Sequence, residues 1–218
     1  MIHLIDVSKH YRAELGIKTV LKPTSLSIPT HRRIGILGAN GAGKSTLLKL
    51  IAGSELPTTG RIVRESSVSW PLGFSGGIHG ELTGAQNVAF IARINGMNID
   101  DAVEFVKDFS ELGRDFYNKV KTYSTGMRAR LNFGLSMAID FDCYLIDEII
   151  GVGDAPFQKK CREAFLERAE KRGFLLVSHS DRAIRMYCEA AIVLFNRTLV
   201  PFETLDEAVF FYRRVMPT

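Results

Sequence analysis

Short apolar runs closed by small or polar residues recur along the chain: residues 33–37 before Gly38, 143–146 before Asp147, 174–177 before Ser178 and His179, and 190–195. Runs this short and this continuously apolar predict buried strands of a largely parallel sheet. The polar residues then gather at the carboxyl ends of the strands, where open α/β sheets bind their ligands. Residues 2–7, 20–28 and 61–70 are rich in β-branched side chains and punctuated by Gly and Pro, which predicts an added antiparallel region.

Between residues 84 and 140 the period changes. Thr83 and Gln86 have the spacing of a capping box that opens one helix, and Ala102, Phe105, Val106, Phe109 and Leu112 fall on one face of a second. Tyr123-Ser124-Thr125-Gly126-Met127 opens a third, with Met127, Leu131, Gly134, Leu135 and Ala138 as its inward stripe. The expected architecture is therefore α/β, a mainly parallel sheet with an antiparallel β region and a helical lobe inserted at about 84–140. A further helix is expected over 156–172, with Asp154 near its cap and Pro156 in its first turn. A short strand and helix at about 196–216 would close a single domain spanning 1–218.

Composition narrows the setting. No apolar run approaches the ~18 residues that span a bilayer, and the first residues lack the basic flank and apolar stretch of a secretory signal, so the chain is expected to remain in the cytoplasm. Cys143, Cys161 and Cys188 are odd in number and far apart, which suggests neither a disulfide framework nor a zinc site. The formal net charge of +4 is spread among acids, as where Lys159 and Lys160 meet Glu163 and Glu167, so no nucleic-acid stripe is expected.

The segment Gly38-Ala39-Asn40-Gly41-Ala42-Gly43-Lys44-Ser45, followed by Thr46 and a helix-like stretch, is a complete phosphate-cradling loop between a strand and a helix. Its glycines let backbone N–H groups turn toward a β-phosphate. Lys44 reaches the β and γ oxygens, and the Ser45 hydroxyl is placed to hold Mg²⁺. About a hundred residues later, Tyr144-Leu145-Ile146-Asp147-Glu148 delivers two carboxylates at a strand end. Asp147 suits Mg²⁺, and Glu148 suits the orientation and deprotonation of a water attacking the γ-phosphate. Ser124 and the N–H groups around Gly126 stand at a helix start, ready for an anion.

In order and spacing, the phosphate loop, the Ser-x-Gly helix start, the Asp-Glu strand, Asp154 and His179 resemble the nucleotide-binding subunit of ABC transporters, over about residues 2–195. The resemblance implies ATP and Mg²⁺ as ligands, Tyr11 stacked on adenine, and Ser124 to Met127 bound to the γ-phosphate of a nucleotide held by the opposite subunit. It implies Asp154 in the loop that links two sites across a homodimer, and His179 on the γ-phosphate. Thr125, Met127 and Ile149 depart from the family's usual Gly, Gln and Pro. The only glutamines, Gln86 and Gln158, lie outside residues 70–80, where the family's coupling glutamine is expected. That loop, together with Glu81-Leu82-Thr83-Gly84 and Val152-Gly153-Asp154, resembles the ATPases of bacterial capsular polysaccharide exporters, related to those that export O-antigen and teichoic acid.

The resemblance implies a homodimer on the cytoplasmic face of the bacterial inner membrane, bound to a separate permease and to the polysaccharide export machinery; the loop over residues 70–80, with its apolar residues and glycines, is where the permease is expected to dock. An alternative is a soluble ATPase of the same type acting as a clamp on nucleic acid or the ribosome. Such proteins usually carry two nucleotide domains or a long coiled-coil insertion, and neither is present here. A small-molecule kinase would use Lys44 and Ser45 but leave Ser124 to Met127 and His179 without purpose.

Overall fold

The computed structural model describes residues 1–14, 16–72, 77–147, 153–178 and 181–215. The chain forms two compact units: Met1–Pro71 with Phe141–Ile149 and Ala169–Thr218, and Leu72–Asp140 with Ile150–Arg168.

Two sheets build the first unit. The strands β1 (Ile2–Ala13), β2 (Gly16–Ile28) and β4 (Thr59–Arg64) form an antiparallel sheet in the order β2-β1-β4. The second sheet has the order β5-β6-β7-β3-β8-β9. Its members are β5 (Val68–Pro71), β6 (Cys143–Asp147), β7 (Gly173–Val177), β3 (Arg33–Gly38), β8 (Ala190–Phe195) and β9 (Thr198–Phe202). All neighbours in it are parallel except the β8-β9 hairpin. That hairpin turns on Asn196 and Arg197, both at positive φ (48° and 65°), as a two-residue loop between right-twisted strands demands. Strands β3, β7 and β6 are apolar on both faces and buried, and with α1 (Lys44–Ala52) they supply Ile34, Ile36, Leu47, Leu48, Ile51, Leu145, Leu175 and Val177 to one core. The remaining helices of this unit are α6 (Asp181–Tyr187) and α7 (Leu205–Val215).

The stretch 61–70, read from the sequence as part of the antiparallel region, divides. Its first half is β4 and its second is β5, an edge strand parallel to β6. The Asp142 carboxylate fixes the break between them by accepting from both the backbone N–H and the hydroxyl of Ser67, at 2.9 and 2.8 Å. Arg64 closes the far end of α1, donating from Nε to the Ile51 carbonyl and, at 2.7 Å, from Nη2 to that of Leu50. This supplies acceptors left over at a helix C-terminus with charged donors.

The second unit is helical: α2 (Gly84–Ile94), α3 (Ile99–Ser110), α4 (Thr125–Ala138) and α5 (Ala155–Lys171, whose last residues pass to the first unit), with 3₁₀ turns at Gly113–Tyr117 and Val120–Thr122. The capping box expected from Thr83 and Gln86 is formed in both directions. Asn98 caps α3 and Ser124 caps α4. Phe109 is the centre of its core, stacked on Phe133 at 5.9 Å and edge-on to Phe157 at 5.9 Å. Phe105, expected on the inward face of α3, is 40% exposed. Conversely, α4 is buried all round from Leu131 to Met137. Its Ser136 hydroxyl donates to the Asn132 carbonyl within the helix, which lets a polar residue sit in apolar surroundings. A Cβ at Gly84 would lie 2.6 Å from the Tyr123 hydroxyl and 2.7 Å from the Phe116 carbonyl oxygen, so the start of α2 must be glycine for the chain before Ser124 to pack there.

Candidate active site

Strand β3 ends at Gly38 against β8, where an added Cβ would meet the Leu194 carbonyl oxygen at 3.0 Å. The chain then turns through Gly41 and Gly43, at φ of 73° and 108°, before α1 begins at Lys44. Both angles lie in the left-handed region that side chains other than glycine rarely adopt. Gly43 caps the helix without a side chain, so the N–H groups of the first turn face the loop. The Lys44 ammonium is held at the centre of the turn, donating to the Gly38 and Ala39 carbonyls at 2.7 and 2.9 Å. Lys44 is 5% exposed, and a cation so placed beside helix N–H groups creates a compact anion-attracting pocket.

A cleft of about 580 Å³ opens over this loop, lined by Tyr11, Lys18, Val20, Asn40, Gly41, Gly43, Lys44, Ser45, Thr46, Asp147 and Val177. The sheet order explains the company. Asp147 ends β6 beside Val177 at the end of β7, and β7 pairs in turn with β3, which leads into the loop. Of the residues singled out from the sequence, Tyr11, Asn40, Gly41, Gly43, Lys44, Ser45, Thr46 and Asp147 share this one cleft. Gly38 and Ala39 hold Lys44, and Ala42 packs against the core. Lys18, Val20 and Val177 were missed by the sequence reading. Lys18 is the cross-strand partner of Tyr11, a relation that counting back from the β1-β2 turn (Ala13 opposite Gly16) would have given. Val20 touches the loop directly: a Cβ on Gly43 would fall 2.2 Å from its Cγ1.

The second unit carries its own concavity, of about 620 Å³, lined by Ser124, Thr125, Gly126, Met127, Ala129, Arg130, Gly153 and Asp154. Ser124 Oγ accepts from the Met127 N–H at 3.2 Å, which fixes the hydroxyl at the mouth of α4. Asp154 caps α5, accepting from the Phe157 N–H at 3.3 Å. Both glutamines are engaged locally, Gln86 in the capping box and Gln158 through its side-chain N–H to the Gly153 carbonyl at 3.0 Å. Glu148, Ile149, His179 and residues 73–76 lie outside the described residues.

The ABC transporter family model matches residues 21–151 of this chain. The chain is 50% identical over 212 residues to the capsule polysaccharide export ATP-binding protein CtrD of Neisseria meningitidis serogroup B, covering 97% of this chain and 98% of that protein. It is 49% identical to the ATP-binding protein BexA of Haemophilus influenzae, with the same coverage. A dimeric ATP-binding cassette in a post-hydrolysis state, bound to ADP and Pi, shares the fold with a TM-score of 0.73 at 21% identity, covering 94% of this chain and 99% of that one. With half of its residues identical to such proteins along nearly its whole length, the chain belongs to the ABC transporter family, in the group of ATP-binding proteins that these relatives represent.

Proposed function

We propose that this protein is the ATP-hydrolysing subunit of an exporter that drives lipid-linked capsular polysaccharide across the bacterial inner membrane. The observation that carries the reading is the convergence of Tyr11, the phosphate loop, Ser45 and Asp147 on one cleft, in a chain half identical to a capsule polysaccharide export ATP-binding protein.

In this reading ATP lies along the cleft with its base on Tyr11 and its phosphates in the loop. Gly41 and Gly43 let the backbone N–H groups surround the β-phosphate, and Lys44 balances the charge of the β and γ oxygens. Ser45 and Asp147 would hold Mg²⁺, which would neutralise charge on the β and γ oxygens. Two oxygen donors lining the same cleft fit this ion, which is typically bound through one or two protein oxygens together with phosphate and water. Glu148, the residue after Asp147, takes the proton of the attacking water while the new P–O bond forms and the bond to the β-phosphate oxygen breaks. His179 contacts the γ-phosphate. Ser124 and Gly126 serve the nucleotide of a second copy, and Asp154 links the two sites, so two chains close head to tail on two ATP molecules.

No helix among the described residues is long and apolar enough to cross a membrane. In this reading the polymer's path belongs to a separate permease, with this subunit peripheral on the cytoplasmic side. Two large apolar side chains one turn apart on α2, Phe90 and Ile94, are 52% and 63% exposed, and in this reading they are a second permease contact besides residues 70–80.

The test is made in the source cell with Lys44→Ala, by extracting internal polysaccharide and labelling the surface. Polymer accumulating inside while the surface goes bare is the expected result. Unchanged surface polymer would reject export.

A further inference from the structure

Two charged residues flank Tyr11 in an arrangement that neither phosphate binding nor hydrolysis requires. The segment after α1 folds back along β1: Thr58 N–H donates to the Ser8 carbonyl at 2.8 Å, Thr58 Oγ1 accepts from the His10 N–H at 3.1 Å, and Ser8 and Thr59 share a hydroxyl hydrogen bond of 2.7 Å. Glu55 on that segment is tied to the end of α1 by its N–H, which donates to the Lys49 carbonyl at 3.3 Å. Its Oε1 then accepts from two directions, from the Tyr11 hydroxyl at 2.5 Å and from the Lys9 ammonium at 2.8 Å. Lys9 also donates to the Leu56 carbonyl at 2.8 Å, and its Nζ lies 4.9 Å from the centroid of the Tyr11 ring.

These contacts remove the freedom that an aromatic residue at the rim of a cleft would otherwise have. The hydroxyl end of the ring is anchored, and one of its faces is taken by a cation, so a planar base can stack only on the other. The Lys9 and Glu55 side chains are just 13% and 22% exposed, so their pairing is sheltered from the solvent that weakens ordinary surface ion pairs. Partial burial works against ionisation of Glu55, but the hydrogen bonds from Lys9 and Tyr11 outweigh it and hold the carboxyl below its usual range. Burial, followed by the bond to Glu55, raises the Tyr11 phenol and keeps it a neutral donor.

We infer that Lys9 and Glu55 are positioning residues that hold the Tyr11 ring ready for the base, so that the cleft favours a nucleoside triphosphate over a bare polyphosphate before any closure on a second chain. This rests on the reading that Tyr11 stacks on the base. A ring ordered in advance loses less entropy on binding, which corresponds to a gain in affinity of about two- to tenfold.

The experiment is isothermal titration calorimetry of ATP and of inorganic tripolyphosphate, each with Mg²⁺, on wild type, Tyr11→Ala, Glu55→Ala, Glu55→Gln and Lys9→Met. Glu55→Ala and Lys9→Met are expected to weaken ATP about two- to tenfold and leave tripolyphosphate unchanged. Glu55→Gln, which keeps an acceptor for the phenol, recovers part of the loss. Adding Glu55→Ala to Tyr11→Ala costs nothing further. ATP affinity unchanged by both Glu55→Ala and Lys9→Met, with Tyr11→Ala weakened, would overturn the positioning role and leave the stacking role standing. Unchanged ATP affinity in Tyr11→Ala would overturn the stacking itself, and with it this proposal. Equal losses for ATP and tripolyphosphate would mean damage to the phosphate loop and would likewise overturn it.

Discussion

Arg130 on α4 donates from Nη2 to Asp154 Oδ1 at 2.8 Å, which ties the helix opened by Ser124 to the turn that opens α5. The same guanidinium reaches Glu111 at 3.2 Å and lies over the Phe157 ring, 4.3 Å from its centroid. Glu111, left-handed at the end of α3, also accepts from Lys160 at 2.8 Å, and the Lys160 bond is the chief reason its carboxyl sits below the ordinary range. Three helices are thus referred to one arginine that is 19% exposed.

If Asp154 links two sites across a dimer, its placement depends on Arg130. Arg130→Met is expected to lower kcat by on the order of tenfold to a hundredfold with little change in KM for ATP. The double variant with Asp154→Ala should be no slower than Asp154→Ala alone if Arg130 acts on turnover through Asp154, its contacts with Glu111 and Phe157 serving stability instead. Steady-state hydrolysis with melting curves measures this. Additive losses accompanied by a lower Tm would point to general destabilisation of the lobe.

Gly43→Ala meets two obstacles, a φ of 108° and the Val20 methyl 2.2 Å from the new Cβ. The left-handed backbone alone costs an alanine about 1–2 kcal/mol. ATP binding should fall by more than tenfold. Val20→Ala in the same chain should return part of the affinity by removing the collision, while the backbone strain stays. Full recovery would show that φ at this position is relaxed in the variant.

Glu148→Gln keeps the size of the side chain and removes its basicity. Hydrolysis should fall by about a hundredfold or more while ATP still binds, and the protein should elute as a dimer in the presence of ATP. Near-normal turnover would move the base to another residue.

Replacing Phe90 with Ser and Ile94 with Asn removes an exposed apolar pair without opening the core, so the unfolding free energy should stay within about 0.5 kcal/mol of wild type. Co-purification of the permease and polysaccharide export should be lost together. Retention of both would remove Phe90 and Ile94 from the permease contact.

The three cysteines are buried, and burial pushes each thiol up to about 12 from an ordinary 9.0. None should react with Ellman's reagent at pH 8 in the folded protein, and all three should react in guanidinium chloride. The linkage has a definite sign. The unfolded thiols lose protons first, so their contribution to stability is full below pH 9 and declines as pH rises toward 12. Chemical denaturation at pH 8, 9 and 10 should show that decline, and a flat profile would count against burial of the thiols.

The sequence by itself determined the features decided within a few residues. The glycines at 41 and 43 specify the left-handed turn of the phosphate loop, Thr83 with Gln86 closes a capping box, and Asp154 stands at the head of α5. Backbone sterics and capping depend on near neighbours, so motif spacing was enough to read them. Only the tertiary structure decided who meets whom across long separations. Within residues 61–70, Glu65-Ser66-Ser67 marks a local break, but nothing local says that β4 joins the antiparallel sheet and β5 the parallel one, because the choice of partner lies with β1 and with β6. The inward stripe of α4 understated its burial, since Ser136 satisfies its hydroxyl inside the helix and is buried with its apolar neighbours. Glu55 beside Tyr11, and Arg130 beside Asp154, are pairs 44 and 24 residues apart. No local propensity encodes them; they exist because packing of the core brings distant side chains to one place.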